Sequence, residues 1–202
     1  TRQPLPKEAK LIEIAQAERA RSRKIVLLIE QTTTRPLPQR LVPLLKKHGI
    51  RAVYLDTSRV QAGNREEWIE KQAHQMDVLI THPKAVETGL DLLSFQTVVV
   101  YEAIYKVISL AQAIARVWRL RQRRSVKVIS LIYEGNLEGA AWPVIARKIS
   151  WAKSVYGNFV QSGLGDAGLD ENLDLLSALK DAITTTSQTD SNIQGASERT
   201  LA

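Results

Sequence analysis

The sequence predicts an α/β protein built on a parallel, doubly wound sheet with flanking helices. Two observations carry that prediction. Five short apolar, β-branched runs stand at 25–30, 52–55, 77–81, 97–101 and 126–132. Several are continuous rather than alternating, as in strands covered on both faces. Helical patterns separate most of them, and strand alternating with helix implies parallel neighbours joined by right-handed crossovers.

The elements follow in order. A leading helix over 7–21 precedes the first run. A helix over 36–48 begins at Pro36 and stops at Gly49, with Leu37, Leu41, Leu44 and Leu45 spaced for one face. A charged helix over 64–74 bears Trp68 and Ile69, a third spans 109–121, and a long one spans 137–156 after the last run. Gly157, Gly163, Gly165 and Gly168 then interrupt the pattern. The organisation expected is a body at 1–157, a Gly-rich linker with an acidic amphipathic helix at 158–183, and a polar, disordered tail at 184–202.

Composition narrows the function. The 202 residues suffice for one domain with a real core, and 44% hydrophobic with 24% charged residues is ordinary for a globular body. The absence of cysteine excludes disulfides, thiolate metal sites and cysteine nucleophiles. No apolar run approaches ~20 residues, so no membrane-spanning helix or membrane partner is expected. The chain starts Thr1-Arg2-Gln3-Pro4, without an initiator Met or an apolar leader, and reads as a piece of a longer polypeptide.

The net charge of +7 is unevenly spread. Through Gly157 there are 26 Lys and Arg against 14 Asp and Glu, a body of +12; beyond it the count is 2 against 7, a tail of −5. Such a body suits a polyanion, although solvated charge gives the same count.

Two stretches carry chemistry. In Gln112-Ala-Ile-Ala-Arg116-Val-Trp-Arg119-Leu-Arg-Gln122, helical geometry puts Arg116 and Arg119 within ~40° of Gln112. Ile114, Val117 and Trp118 then face the sheet. Two guanidinium forks one turn apart suit a phosphate chain, and where a phosphoryl group is transferred they act as arginine fingers. A solvated basic helix end, continued by Arg121, Arg123 and Arg124, is the alternative. The second stretch runs from a strand at 77–81 through His82, Pro83, Lys84, Thr88, Gly89 and Asp91. Ligands gather at such strand exits in open α/β sheets. It reads equally as an ordinary connection with Asp91 as a helix cap.

In this order and separation the two stretches resemble the second RecA-like lobe of superfamily 2 helicases, and most of all the Swi/Snf-type translocases. Gln112-Ala-x-x-Arg116-x-x-Arg119-x-x-Gln122 is similar to motif VI, usually QAxxRxxRxGQ. Thr88-Gly89-Leu90-Asp91-Leu92 is similar to the core of motif V. Residues 24–31 resemble motif IV, 54–65 motif IVa, and 126–138 the strand and acidic helix entry that follow motif VI. The resemblance covers roughly 5 to 150.

It implies a RecA-like fold in which Arg116 and Arg119 reach ATP, with Gln112, Gly89 and Asp91 supporting the nucleotide site. It also implies a nucleic-acid track, most readily for DNA, along Gln31, Thr32, Thr33, Ser58, Arg59, Lys84 and Thr88. The departures are His82-Pro83 where Ser-Thr or Ala-Thr is usual, Val86-Glu87 for small glycines, Thr57 for a glycine, and Leu120-Arg121 for Ile-Gly.

What is missing limits the chain's own activity. It has no G-x-x-x-x-G-K-S/T loop and no acidic box after a strand, so Mg-ATP cannot be held by the P-loop route. The expectation is a C-terminal lobe, inactive alone, whose ATP and Mg2+ are held mainly by an N-terminal lobe of the same polypeptide inside the cell. No metal site is expected, because His48, His74 and His82 lack ligand spacing. Trp118, Trp142 and Trp151 are expected in the core, and Glu30 and Glu102 lack a partner for acid–base work. The rival is a stand-alone basic α/β module that binds nucleic acid or protein without catalysis.

Overall fold

The computed structural model describes residues 3–30, 36–86, 90–118, 122–133 and 196–201, with isolated helical positions at 139, 142, 143 and 145. All five expected strands form: β1 Ile25–Leu28, β2 Ala52–Tyr54, β3 Val78–Thr81, β4 Thr97–Val100 and β5 Lys127–Tyr133. They pair in parallel in the order β2-β3-β1-β4-β5. An antiparallel strand β6, Ala196–Leu201, lies against the outer edge of β5. That strand falls in the tail expected to lack structure. Its pairing satisfies the β5 backbone groups that an open edge would leave exposed. The remainder of the tail, the 158–183 segment and most of the 137–156 helix lie outside the described residues.

The helices are α1 Pro6–Ala20, α2 Leu37–Lys47, α3 Arg65–Ala73, α4 Pro83–Val86 and α5 Val107–Val117. Side chains of β1 alternate between two buried clusters. Ile25, Leu27 and Ile29 join Leu11 and Ala15 of α1 and Leu41 and Leu45 of α2. Val26 and Leu28 join Ile69 of α3, Val86 of α4 and Leu110, Ala113 and Val117 of α5. Burial on both faces is why the strand runs read as continuous apolar segments. Each fully buried Leu or Ile contributes about 1.5–3 kcal/mol.

Three buried carboxylates join elements that are distant in sequence. Glu8 of α1 accepts both Nε and Nη2 of Arg40 on α2, and also the Leu5 N–H at 2.8 Å. Glu18 accepts Arg23 Nε at 2.7 Å and the Thr97 hydroxyl at the start of β4. Asp77, just before β3, accepts Arg51 Nη2 at 2.6 Å and the Arg51 N–H at 2.9 Å, with Arg19 Nε at 3.7 Å. Burial alone would raise the Asp77 carboxyl, but the Arg51 hydrogen bonds and the charges of Arg51 and Arg19 outweigh it and hold it below the ordinary aspartate range.

Because the folded carboxyl is depressed, Asp77 stabilises fully above the unfolded aspartate range, and the contribution is lost as pH falls below ~4. Asp77→Asn should therefore cost roughly 1.5–3 kcal/mol at pH 7, the scale of a hydrogen bond to a charged group. The deficit should shrink at pH 3, both read from urea unfolding midpoints. An equal deficit at both pH values would show that the charge of Asp77 contributes nothing.

Candidate nucleotide and nucleic-acid interface

Parallel pairing of β1 with β3 and β4 brings three strand exits to one edge. The backbone bonds continue past the strands, with Ile29 N–H on Thr81 O at 3.0 Å and Tyr101 N–H on Leu28 O at 3.0 Å. The next residues are Glu30, His82 and Glu102. The chain leaves β1 towards β2 and leaves β4 towards β5, so the crevice between β1 and β4 is the switch point of the sheet. In many nucleotide-binding sheets backbone N–H groups at this crevice meet phosphate. Here the Glu30 N–H donates to Glu102 Oε2 at 2.9 Å. The Glu102 carboxylate thus takes the backbone donor at the crevice, while the Glu30 carboxylate lies towards His82 at the β3 exit. Sequence reasoning treated Glu30 and Glu102 separately because only the strand order makes them neighbours.

His82 joins the β1 and β3 exits. Its Nδ1 accepts the Lys84 N–H at 3.1 Å, so in the neutral ring the proton sits on Nε2. Nε2 lies 3.6 Å from Glu30 Oε2, a buried oxygen with no hydrogen bond among the described residues. The residue that replaces the family's hydroxyl thus shapes the first turn of α4 and presents an N–H towards Glu30. Lys84 is exposed on that turn.

The motif IVa positions follow β2. The Ser58 hydroxyl and N–H both donate to Asp56 Oδ1, at 2.6 and 2.9 Å, and Arg59 Nε stands 3.4 Å from Asp56 Oδ2. These bonds, the Ser58 hydroxyl first, lower the Asp56 carboxyl from its ordinary range. The Ser58 hydroxyl proton is therefore engaged within the loop, while Arg59 is 86% exposed. From α3, Arg65 Nη1 donates to Ala85 O at 3.1 Å, and Glu66 Oε1 accepts the Asp91 N–H at 3.4 Å. Arg65 and Glu66 thus tie the IVa region to the V region. Nothing in their spacing signals it.

Motifs V and VI meet through the backbone. The Leu92 N–H donates to Arg116 O at 3.0 Å. Gln122 Nε2 donates to Leu93 O, Phe95 O and Val117 O at 3.1, 3.0 and 3.3 Å. These bonds meet at the end of α5. In a longer helix the carbonyls of Arg116 and Val117 would accept from residues 120 and 121; instead Leu92 and Gln122 occupy them. The helix expected over 109–121 ends at Val117.

Trp118 caps α5 with an extended ψ of 81° and is 59% exposed. It is therefore not the core residue the helical spacing predicted; leaving the helix takes it off the buried face. Trp142 is buried as expected. Gln112 is exposed and Arg116 half-exposed on α5, and Asp91 is half-buried beside Leu92. Arg119, Gly89, Thr88, Gln31, Thr32, Thr33 and Trp151 lie outside the described residues.

Among the described residues no group of three or more His, Asp or Glu stands in position to hold a metal ion, and no helix is long and apolar enough to cross a membrane. The donors described on α5, the Arg116 guanidinium and the Gln112 amide, are of a kind that pairs with anionic oxygens. They offer nothing for Mg2+.

Two outcomes test this wiring. Gln122→Ala removes the donor that the Leu93, Phe95 and Val117 carbonyls share and should destabilise by roughly 1–3 kcal/mol in chemical denaturation. His82→Asn keeps an acceptor near Nδ1 and should preserve amide-exchange protection at Lys84. His82→Gln, which moves its polar atoms outward, should lose about 1 kcal/mol and that protection.

Comparison with known proteins now gives the lineage. Residues 6–121 match the family model described as the helicase conserved C-terminal domain. A search of curated sequences finds no significant relative. Among 114 solved chains that match is the crystal structure of the C-terminal part of the Fun30 ATPase domain. The TM-score to it is 0.64 at 15% identity, covering 92% of this chain. The chain spans 55% of that structure's length, and at this identity the likeness speaks for the fold. With its parallel RecA-like sheet and more than half its length matched, the chain belongs to the helicase C-terminal domain family.

Proposed function

We propose that this chain is the C-terminal lobe of an ATP-dependent superfamily 2 DNA helicase or translocase. In this reading Arg116 and Arg119 act as arginine fingers on ATP held, with its Mg2+, by an N-terminal lobe that carries the P-loop. Gln112, Gly89 and Asp91 support the nucleotide side. Gln31, Thr32, Thr33, Arg59, Lys84 and Thr88 line half of the nucleic-acid track, with Ser58 offering an acceptor more readily than a donor. Such a motor works inside the cell, where ATP and nucleic acid are both present.

The single observation that carries the reading is the Leu92 N–H to Arg116 carbonyl bond. It fastens the GLDL segment, whose other end leads back to Lys84, onto the helix that bears the arginine. A nucleic-acid contact at one end and charge stabilisation on ATP at the other are thereby parts of one hydrogen-bonded unit. The Glu102 carboxylate at the β1/β4 crevice supports the same division, because it disfavours phosphate where a self-sufficient nucleotide-binding sheet would place it.

The chain's own residues then do limited chemistry. ATP supplies the transferable phosphoryl group when bound. The guanidiniums offset charge that develops on its oxygens, and the track residues hold phosphate backbone while the two lobes approach and separate.

In the intact protein, Arg119→Ala and Arg116→Ala should each lower kcat for DNA-stimulated ATP hydrolysis by about 10³-fold or more, the scale of lost arginine fingers. The Kd for DNA should stay within about threefold. Normal turnover in either variant removes that arginine from the assignment. If nucleic acid leaves ATP hydrolysis by the intact protein unchanged, the binding module without catalysis is the better reading.

A further inference from the structure

The body's positive charge is not confined to the track. At the opposite edge of the sheet, where the strands begin, Arg19, Arg21, Arg23, Arg51, Arg123 and Arg124 converge from the turns that precede β1, β2 and β5. Contacts tie five of them to this edge, Arg19 from the last turn of α1, and the exposed Arg123 adjoins Arg124 in the chain. Arg124 Nη1 and Nη2 donate to the carbonyls of Ser22 and Arg21 at 2.7 and 3.2 Å. Arg23 Nη2 donates to Ser125 O at 3.0 Å and Gln96 O at 2.9 Å. Arg19 reaches the Gly49 carbonyl, and Arg51 Nη1 the His74 carbonyl at 3.4 Å. The acids among them, Glu18 and Asp77, are buried beneath, with side chains 3% and 9% exposed. Arg21 and Arg51 are 70% and 52% exposed above them.

We propose that this N-terminal edge is a second contact surface for the phosphate backbone of nucleic acid, separate from the track at the strand exits. Three features favour that partner. Buried acids under exposed guanidiniums leave the outward face cationic, matching a polyanion rather than a mixed-charge protein surface. Carbonyl bonds hold several forks in place, so less side-chain entropy is lost when a phosphate takes the remaining N–H donors. The edge also crosses five strands, four steps of about 4.8 Å, or roughly 19 Å. Duplex DNA presents a charge every ~1.7 Å of axis over that span. This rests on the nucleic-acid reading above, and adds a site that the track does not include.

Duplex DNA binding by the intact protein, followed by fluorescence anisotropy across a salt series, tests it. Arg21 and Arg123 are the variants of choice, because no backbone carbonyl among the described residues depends on their side chains. Arg21→Gln with Arg123→Gln should flatten the slope of log K against log salt by about 2 and weaken binding roughly tenfold near 0.1 M salt. Lys84→Ala is the parallel probe of the track.

If the edge variant lowers slope and affinity, the second surface stands, whether or not Lys84→Ala also does. A silent Lys84→Ala beside an active edge variant counts against the track alone. If Lys84→Ala weakens binding while the edge variant matches the wild type, the second surface is overturned and the track survives. Absence of DNA binding by the wild type overturns both.

Discussion

Everything in this fold hangs on β1, a four-residue strand buried on both faces and paired in parallel on both sides. Parallel pairing forces the neighbouring chains to enter at one edge and leave at the other. The exits of β1, β3 and β4 therefore converge, and so do their entrances. The buried acids belong to the same constraint. Glu18 fastens the end of α1 to Arg23, at the entrance to β1, and to Thr97 in β4, while Asp77 joins β3 to the Arg51 turn before β2. Breaking one partner of such a pair leaves an uncompensated buried charge, which costs more than the pair contributes. The helices are thus held in register with the sheet by polar contacts as well as by the apolar clusters.

The two edges have opposite characters. At the switch point Glu102 takes the backbone donor of Glu30 and His82 turns an N–H towards Glu30. Arginines dominate the other edge. Glu102 gives the Glu30 N–H the partner that a buried backbone donor needs, and its charge disfavours an anion at the crevice.

The strands were legible because burial on both faces writes itself into the sequence as unbroken apolar runs. The helix before β2 was legible from Pro36, Gly49 and the leucine spacing, and the one before β3 from its charged pattern around Trp68 and Ile69. The four-residue α4 was not, because one turn leaves no period to detect. The end of α5 was not either. Helical spacing runs on through Trp118, whereas the carbonyls at the end of the helix pair with Leu92, 24 positions before Arg116, and with Gln122, five after Val117. Buried Lys7 and Glu8 in α1 likewise became intelligible only with Tyr101 and Arg40 beside them. Residue types marked the arginines, the amide and the lysine as candidates. Their wiring through Arg65, Glu66, His82 and Gln122 depends on tertiary neighbours.

A helix stopped by tertiary bonds behaves differently from one stopped by its own sequence. At the end of α5, Leu92 and Gln122 donate to the carbonyls of Arg116 and Val117, so the last turn of the helix is fastened to the 92–95 segment. That segment is tied through the Asp91 N–H to Glu66 and hence to α3, whose Arg65 also grips the Ala85 carbonyl beside Lys84. A displacement of the α4 turn therefore cannot leave the end of α5 untouched unless one of these bonds breaks. Each is worth about 0.5–1.5 kcal/mol net. Together they are comparable to the 1–3 kcal/mol typical of coupling between two sites, enough to couple the α4 turn to the end of α5.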